Sequence, residues 1–217
     1  MTSDANGRTE PKDAAAPQSG AGAALGKATE TELRMLRLFN HYRHDWMNDI
    51  QLLFGYVKLK KFDKLPALME KITHKVQQEG LVSRLGVPAL ILHLLSFQAE
   101  VKELKLEVLM EQEVHLDELD YAPDVCRTVE YVLEAFRNEA SLSQDGDNEL
   151  TLYWNREADE LEVKAVYNGE YRESSIRQAE ADAAERSGRA QFAAFYESGR
   201  AEWSFCWSEG AVPASHT

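Results

Sequence analysis

The chain has 217 residues, 44% of them hydrophobic and 28% charged, with a formal net charge of −13 at pH 7. That length suits one ordinary domain plus a smaller element, and the composition is that of a globular protein in water. The acidic balance argues against a general attraction to nucleic acid or an anionic membrane. No apolar run approaches the roughly 20 residues of a membrane span, and the N-terminus has no signal-type apolar core, so a cytoplasmic location is expected.

Residues 1–28 are rich in Ala, Gly, Ser, Thr and Pro, with almost no large apolar side chains. Such a stretch cannot offset its chain entropy by burial and is expected to be a disordered tail. From Thr29 to Lys61 the spacing predicts a helix. Leu36, Phe39, Trp46, Ile50, Leu53 and Val57 recur three, four or seven apart, with Arg43 as the one polar interruption. Such a stripe packs on other helices at a shallow angle. Met35, Leu38, Tyr42 and Leu52 widen it to the breadth of a four-helix bundle.

The Lys60–Pro66 stretch reads as a tight connection, with Asp63 as N-cap and Pro66 in the first turn of a second helix. Leu65, Leu68, Met69, Ile72 and Val76 share one face of that helix, and Gly80 is its expected stop. Two such helices form an antiparallel hairpin that cannot bury its faces alone; pairing with a second copy gives a four-helix bundle, hence an expected homodimer. Lys58, Lys60, Lys61 and Lys64 cluster at the connection and read as a solvated helix end.

Beyond Gly86 the pattern changes. A buried helix is expected from Val87 to about Glu103, a strand over Leu104–Gln112 and a helix from Pro123 to Ala140. Strands follow at Glu149–Trp154 and Leu161–Tyr167 around a turn at Asn155–Glu160, then an Ala-rich helix over Ser174–Glu197 and a last strand over Ala201–Ser208. This order describes an α+β two-layer sandwich with helices on one face of a mixed sheet. Trp154, Trp203 and Trp207 are expected in the sheet core, and His93 in the core or at its edge, satisfied by a backbone carbonyl. Cys126 and Cys206 have no metal-type spacing and read as buried free thiols. The expected division is a tail over 1–28, a dimerising hairpin over 29–82 and a C-terminal domain over 87–210.

Opposite the stripe, the first helix carries Arg37, His41, His44, Asn48, Gln51, Gly55 and Lys58, none of them large and apolar. His44 is therefore expected in solvent, flanked by His41 and Asn48. An imidazole near its unperturbed pKa of about 6.5 is largely neutral in the cytosol and keeps a nitrogen lone pair. It can attack phosphorus without first losing a proton. Asp45 is suited to hold the other ring N–H and to offset the charge of an imidazolium. Asn40, His41, Met47, Asn48, Gln51 and Gly55 are candidates for contact with a partner; exposed Met47 is an apolar anchor beside the nucleophile, and Gly55 leaves a shallow spot. His74 reads as a solvated surface histidine.

The segment His44-Asp-Trp-Met-Asn-Asp-Ile-Gln-Leu resembles the phosphoacceptor box of two-component histidine kinases: a His, an acidic residue, two positions, then Asn, with apolar residues beneath. The wider stretch from Tyr42 to Tyr56 is more similar still to the sporulation initiation phosphotransferase B family of spore-forming bacteria, and the order of elements that follows agrees. The resemblance covers roughly residues 30 to 210. It implies that His44 is the phosphoacceptor, with Asp45 orienting and Asn48 supporting it. It also implies a homodimer whose hairpins form a four-helix bundle, each bearing a C-terminal domain like a degenerate histidine-kinase ATPase domain.

The partners it implies are response-regulator receiver domains, one a single-domain donor and the other a transcription regulator as acceptor in sporulation initiation. Mg2+ would come with the receiver; no cofactor or metal of the chain's own is expected. A working kinase domain of this type needs Gly-rich phosphate loops. The C-terminal region offers only Tyr167-Asn-Gly-Glu and Arg186-Ser-Gly-Arg, and Asn138-Glu-Ala reads as a polar helix end, so ATP use is not expected. A sensorless histidine kinase and a non-catalytic docking scaffold are the alternatives.

Overall fold

A computed structural model describes residues 29–142 and 147–209. The tail expected over 1–28 lies outside the described residues. The chain is an α+β protein, a helical N-terminal part followed by a mixed five-stranded sheet with helices.

Helix α1 (Glu30–Lys58) starts at a capping box. The Thr29 side chain accepts from the Glu32 backbone N–H, and Glu32 reaches back to the Thr29 backbone N–H. That satisfies two of the orphan donors at a helix start. At the far end Lys60 takes a positive φ of 55° to reverse the chain. A 3-10 turn over Phe62–Lys64 then leads into α2 (Leu65–Val82). Asp63 is not the expected N-cap. It lies inside the 3-10 turn, and no side chain caps α2; Lys64 N–H instead donates to the Lys61 carbonyl at 3.1 Å. Nor does Gly80 stop the helix. α2 continues to Val82 because Val82 and Leu85 are buried in the core below, and that burial outweighs the roughly 1 kcal/mol helix penalty of a glycine.

The second part contains α3 (Pro88–Glu100), β1 (Lys105–Met110), α4 (Ala122–Ala140), β2 (Glu149–Glu157), β3 (Glu160–Asn168), α5 (Glu173–Arg186), β4 (Gln191–Glu197) and β5 (Arg200–Ser208). The sheet order is β1-β2-β3-β5-β4, with β1 and β2 parallel and every other pair antiparallel. Alternate residues of each strand point one way. Val108, Leu152, Trp154, Val163, Tyr167, Trp203, Phe205 and Trp207 thus share a buried face with Leu90 and Leu94 of α3 and with Val129, Leu133 and Phe136 of α4. Phe136 anchors the layers, stacked on Tyr167 at 5.0 Å between ring centroids and tilted against Trp203 at 4.7 Å.

Two expectations fail here for identifiable reasons. The helix expected over 174–197 ends at Arg186, and Gln191–Glu197 is the edge strand β4. Gly188 turns the chain at φ 65°, and a Cβ there would lie 2.4 Å from an Asp124 side-chain oxygen. Phe192, Ala194 and Tyr196 then alternate toward the core, and the Tyr196 hydroxyl accepts from Trp203 Nε1 at 2.8 Å. The turn expected over 155–160 shrinks to Ala158-Asp159, since Asn155–Glu157 stay paired with Glu160–Glu162.

Smaller differences concern His93 and the cysteines. His93 Nε2 is buried with no hydrogen-bond partner among the described residues rather than bonded to a carbonyl; burial against Phe97 pushes its pKa down and keeps it neutral. Both cysteines are free and only half-buried.

Polar contacts seat the hairpin on the sheet. The Gln78 carboxamide accepts from Met110 N–H at 2.8 Å and donates to the Met110 carbonyl at 3.3 Å, which caps the open edge of β1. Arg37 of α1 donates to Glu100 of α3 at 2.9 Å.

Candidate functional site

With 3.6 residues per turn, α1 sorts its side chains into three faces. Leu38, Tyr42, Asp45, Asp49, Leu53 and Tyr56 form the half-buried face turned toward the rest of the chain. The apolar stripe of Leu36, Phe39, Trp46, Ile50 and Val57 does not lie there. Within one chain it is bare, with Trp46 52% and Ile50 59% exposed, and α1 has no buried residue at all. The core expected beneath Trp46 and Ile50 is therefore not supplied by the described residues of this chain. The third face carries His44, whose side chain is 73% exposed.

Among the described residues, one edge of the His44 ring is engaged. The Asn48 amide nitrogen Nδ2, one helical turn on, lies 3.2 Å from Nδ1, which it would serve as a donor in this amide orientation, and Asp45 Oδ1 lies 3.6 Å from the same nitrogen. A carboxylate can only accept, so Asp45 favours a proton on Nδ1, and the carboxamide can turn its oxygen to the same N–H. Nε2 then keeps its lone pair and points away from both groups.

Asp45 is held from the other side. Lys75 Nζ of α2 meets its Oδ2 at 2.9 Å, His41 Nε2 lies 3.6 Å from the same oxygen, and the carboxylate is only 27% exposed. Burial raises the Asp45 pKa, but the Lys75 hydrogen bond and charge, with His41 and His44, outweigh it, so the net shift is downward and the group stays ionised. Burial likewise works against the Lys75 ammonium, and Asp45, Glu79 and Asp49 more than compensate. For His41 burial dominates and lowers the pKa despite Asp45. Behind these groups a cleft of about 430 Å³ opens between the hairpin and β1, lined by His41, Asp45, Lys71, His74 and Lys75 and by Lys105–Leu109 of the strand.

The remaining sequence candidates separate in space. Asn40, Met47 and Gln51 are exposed, Met47 at 51%, and a Cβ at Gly55 would meet nothing within 4 Å. His41, expected beside His44, is half-buried and turns to Asp45 on the cleft side. His74 is exposed on that same cleft. Lys75 was missed by sequence reasoning: it lies 30 positions from Asp45, and its only local cue is Glu79 four residues on. Asn138 is exposed, and its neighbour Glu139 is buried and bound by the Arg172 backbone N–H, the Arg172 guanidinium and the Ser175 hydroxyl. That cluster fastens the start of α5. Among the described residues no group of three or more His, Cys, Asp or Glu could hold a metal ion, and no helix is long and apolar enough to cross a membrane.

Fold and site together describe a helical hairpin that displays a histidine, joined to a sheet domain that closes its own core. Residues 27–85 match the family described as Sensor kinase SpoOB-type, alpha-helical domain. The chain is also 27% identical to sporulation initiation phosphotransferase B of Bacillus subtilis (strain 168) over 118 residues, which are 54% of this chain and 60% of that protein. The match thus spans less than two thirds of the curated relative. Among solved structures, the Acinetobacter baumannii histidine kinase AdeS is similar at 11% identity and a TM-score of 0.39, over 77% of this chain and 98% of that one. A bacterial phosphotransferase is similar at 11% identity and a TM-score of 0.35, over 82% of this chain and 98% of that one.

Proposed function

We propose that the chain is a histidine phosphotransferase of a two-component phosphorelay, and that it moves phosphoryl groups between receiver-domain aspartates through His44, in sporulation initiation. The observation that carries this reading is the His44 ring itself: 73% exposed, engaged only at Nδ1, with Nε2 open to an incoming group. The likeness to sporulation initiation phosphotransferase B supports the same reaction class.

In the forward step the Nε2 lone pair attacks the phosphorus of a receiver's aspartyl phosphate. The N–P bond forms as the P–O bond to the acyl oxygen breaks, and that electron pair leaves on the receiver's carboxylate. The Nδ1 proton stays in place, and Asp45 and Asn48 face the positive charge that develops on the ring. The second transfer reverses these events onto another receiver. The bundle contributes a fixed nucleophile, and the receiver contributes its own acidic pocket and Mg2+. Asn40, Met47, Gln51 and Gly55 form the surface around the ring that the receiver would cover.

The bare apolar stripe supports a homodimer, since patches of this extent on soluble proteins mark interaction sites. Isologous pairing of two hairpins would bury Trp46 and Ile50 in a four-helix bundle. In this reading ATP is not used. Glu139, beside Asn138 in the Asn138-Glu-Ala run, is committed to Arg172 and Ser175.

The test is transfer from a phosphorylated receiver domain. The wild-type chain should acquire acid-labile, base-stable label and the His44→Gln variant none; labelling of His44→Gln to the wild-type level would overturn the assignment. Incubation with labelled ATP and Mg2+ should leave the chain unlabelled, whereas self-labelling would make it a kinase. Sedimentation should give the mass of a dimer.

A further inference from the structure

We propose that Lys75 is a positioning residue for phosphoryl transfer at His44: reaching across the hairpin from α2, it holds one oxygen of Asp45 so that the other is presented to the Nδ1 edge of the ring. The inference rests on the phosphotransfer reading above and adds to it a residue on the facing helix.

The geometry divides the two carboxylate oxygens between two tasks. Oδ2 is taken by Lys75 Nζ at 2.9 Å, while Oδ1 faces His44 Nδ1 at 3.6 Å. A carboxylate on a helix has freedom about two side-chain torsions, and a contact at 3.6 Å is too long to fix them. The 2.9 Å charge-assisted bond from Lys75 is the contact able to do so. Glu79, one turn further along α2, lies 3.9 Å from Lys75 Nζ and adds charge to the pair without a hydrogen bond. The chain of contacts thus runs Glu79, Lys75, Asp45, His44, and ends on the nitrogen that must keep its proton.

The ammonium also keeps the carboxylate charged. Burial alone would push the Asp45 pKa up, and Lys75 supplies the largest opposing influence, ahead of His41 and His44 on its own helix. The other groups facing the pair are the anionic Glu79 and Asp49 and, across the cleft, Lys71, His74, Lys105 and Glu107, none of which is among the leading influences on Asp45, with Lys102 acting on His41. Without Lys75, Asp45 would take up a proton at higher pH as the medium is acidified. A protonated Asp45 could donate to Nδ1, which would favour the wrong tautomer and withdraw the negative charge from the imidazolium.

The experiment uses the full chain as wild type, Lys75→Gln and Lys75→Arg, with a phosphorylated receiver as donor. Losing such an orienting partner should slow labelling by roughly tenfold to a hundredfold, with most of the rate regained in Lys75→Arg. The acid limb of the pH–rate profile should move to higher pH in Lys75→Gln. Nitrogen-15 NMR of the His44 ring, read without any receiver, should show the Nδ1–H tautomer dominant in wild type and reduced in Lys75→Gln.

Wild-type rates and an unmoved acid limb in Lys75→Gln would overturn the inference. So would slow transfer accompanied by an unchanged tautomer and a lowered melting temperature, since Lys75 would then be only a brace between helices. If the wild-type chain takes no label, the phosphotransfer reading itself fails, and the tautomer measurement still decides separately whether Lys75 sets the imidazole.

Discussion

The hairpin and the sheet domain solve the problem of burial in opposite ways. The sheet part fills its core from this chain: Trp203 and Trp207 of β5 and Leu133 and Phe136 of α4 are wholly buried between sheet and helices. The hairpin meets the rest of the chain through a half-buried face that mixes Leu38, Tyr42, Leu53 and Tyr56 with the polar contacts of Asp45, Lys75 and His41, and leaves Phe39, Trp46 and Ile50 in water. A helix of 29 residues with no buried side chain is not a self-sufficient unit; most helical stability in proteins comes from packing an apolar face. Under the proposed homodimer, stability in the two regions would depend on different variables, on the chain's own packing in one and on protomer concentration in the other.

The comparison can be broken at its firmest point first. Trp203→Ala should cost about 3–5 kcal/mol, as aromatic truncation in a packed core does, and the loss should not vary with protein concentration. If the proposed dimer buries it, Ile50→Ala should cost about 2–5 kcal/mol, and thermal melts across a dilution series should show the deficit as a weakened dimer. A concentration-independent melt in both variants would erase the distinction between the regions.

Glu139 sharpens it further from the sheet side. Burial raises its pKa, but the Arg172 backbone N–H, the Ser175 hydroxyl and the Arg172 guanidinium outweigh that and hold it below the usual carboxylate value. Stability from such a group is complete above the unfolded pKa of about 4.3 and is lost as pH falls through the lower folded value. Glu139→Gln should therefore destabilise by about 1–3 kcal/mol at neutral pH, with a difference from wild type that narrows as pH drops below about 4. Denaturant titrations at two pH values measure it.

What the sequence disclosed follows the same division. The periodicity of α1 located His44 on a polar face because a helix maps sequence spacing directly onto direction. It could not say which of two adjacent apolar rows meets the same chain: Leu38, Tyr42, Leu53 and Tyr56 face inward, while Phe39, Trp46 and Ile50 do not. The rows differ by about one residue of helical rotation, and only the docking of α2 and α3 separates them. Lys75 was illegible because its meeting with Asp45 depends on hairpin register. In the sheet domain the alternating strands read correctly except β4, where Ala193 and Ala194 favour helix locally and pairing with β5 overrides them.

Gly55 offers the finest test, because its fold and site readings predict opposite signs. It sits inside α1 two positions after Leu53, and an added Cβ would meet no atom within 4 Å. A glycine at an open helical position costs roughly 0.5–1 kcal/mol relative to alanine, and no contact among the described residues explains its presence. Gly55→Ala should accordingly raise stability by about that amount, and thermal melts at fixed concentration would register it. If the flat spot admits a receiver, the same variant should transfer phosphate more slowly while melting higher. A variant that gains stability and keeps full transfer would remove Gly55 from the docking surface and leave Met47 and Gln51 to define it. One that loses stability would mean that the space above Gly55 is filled by the second protomer, and the dimer would then reach further around α1 than the apolar stripe alone suggests.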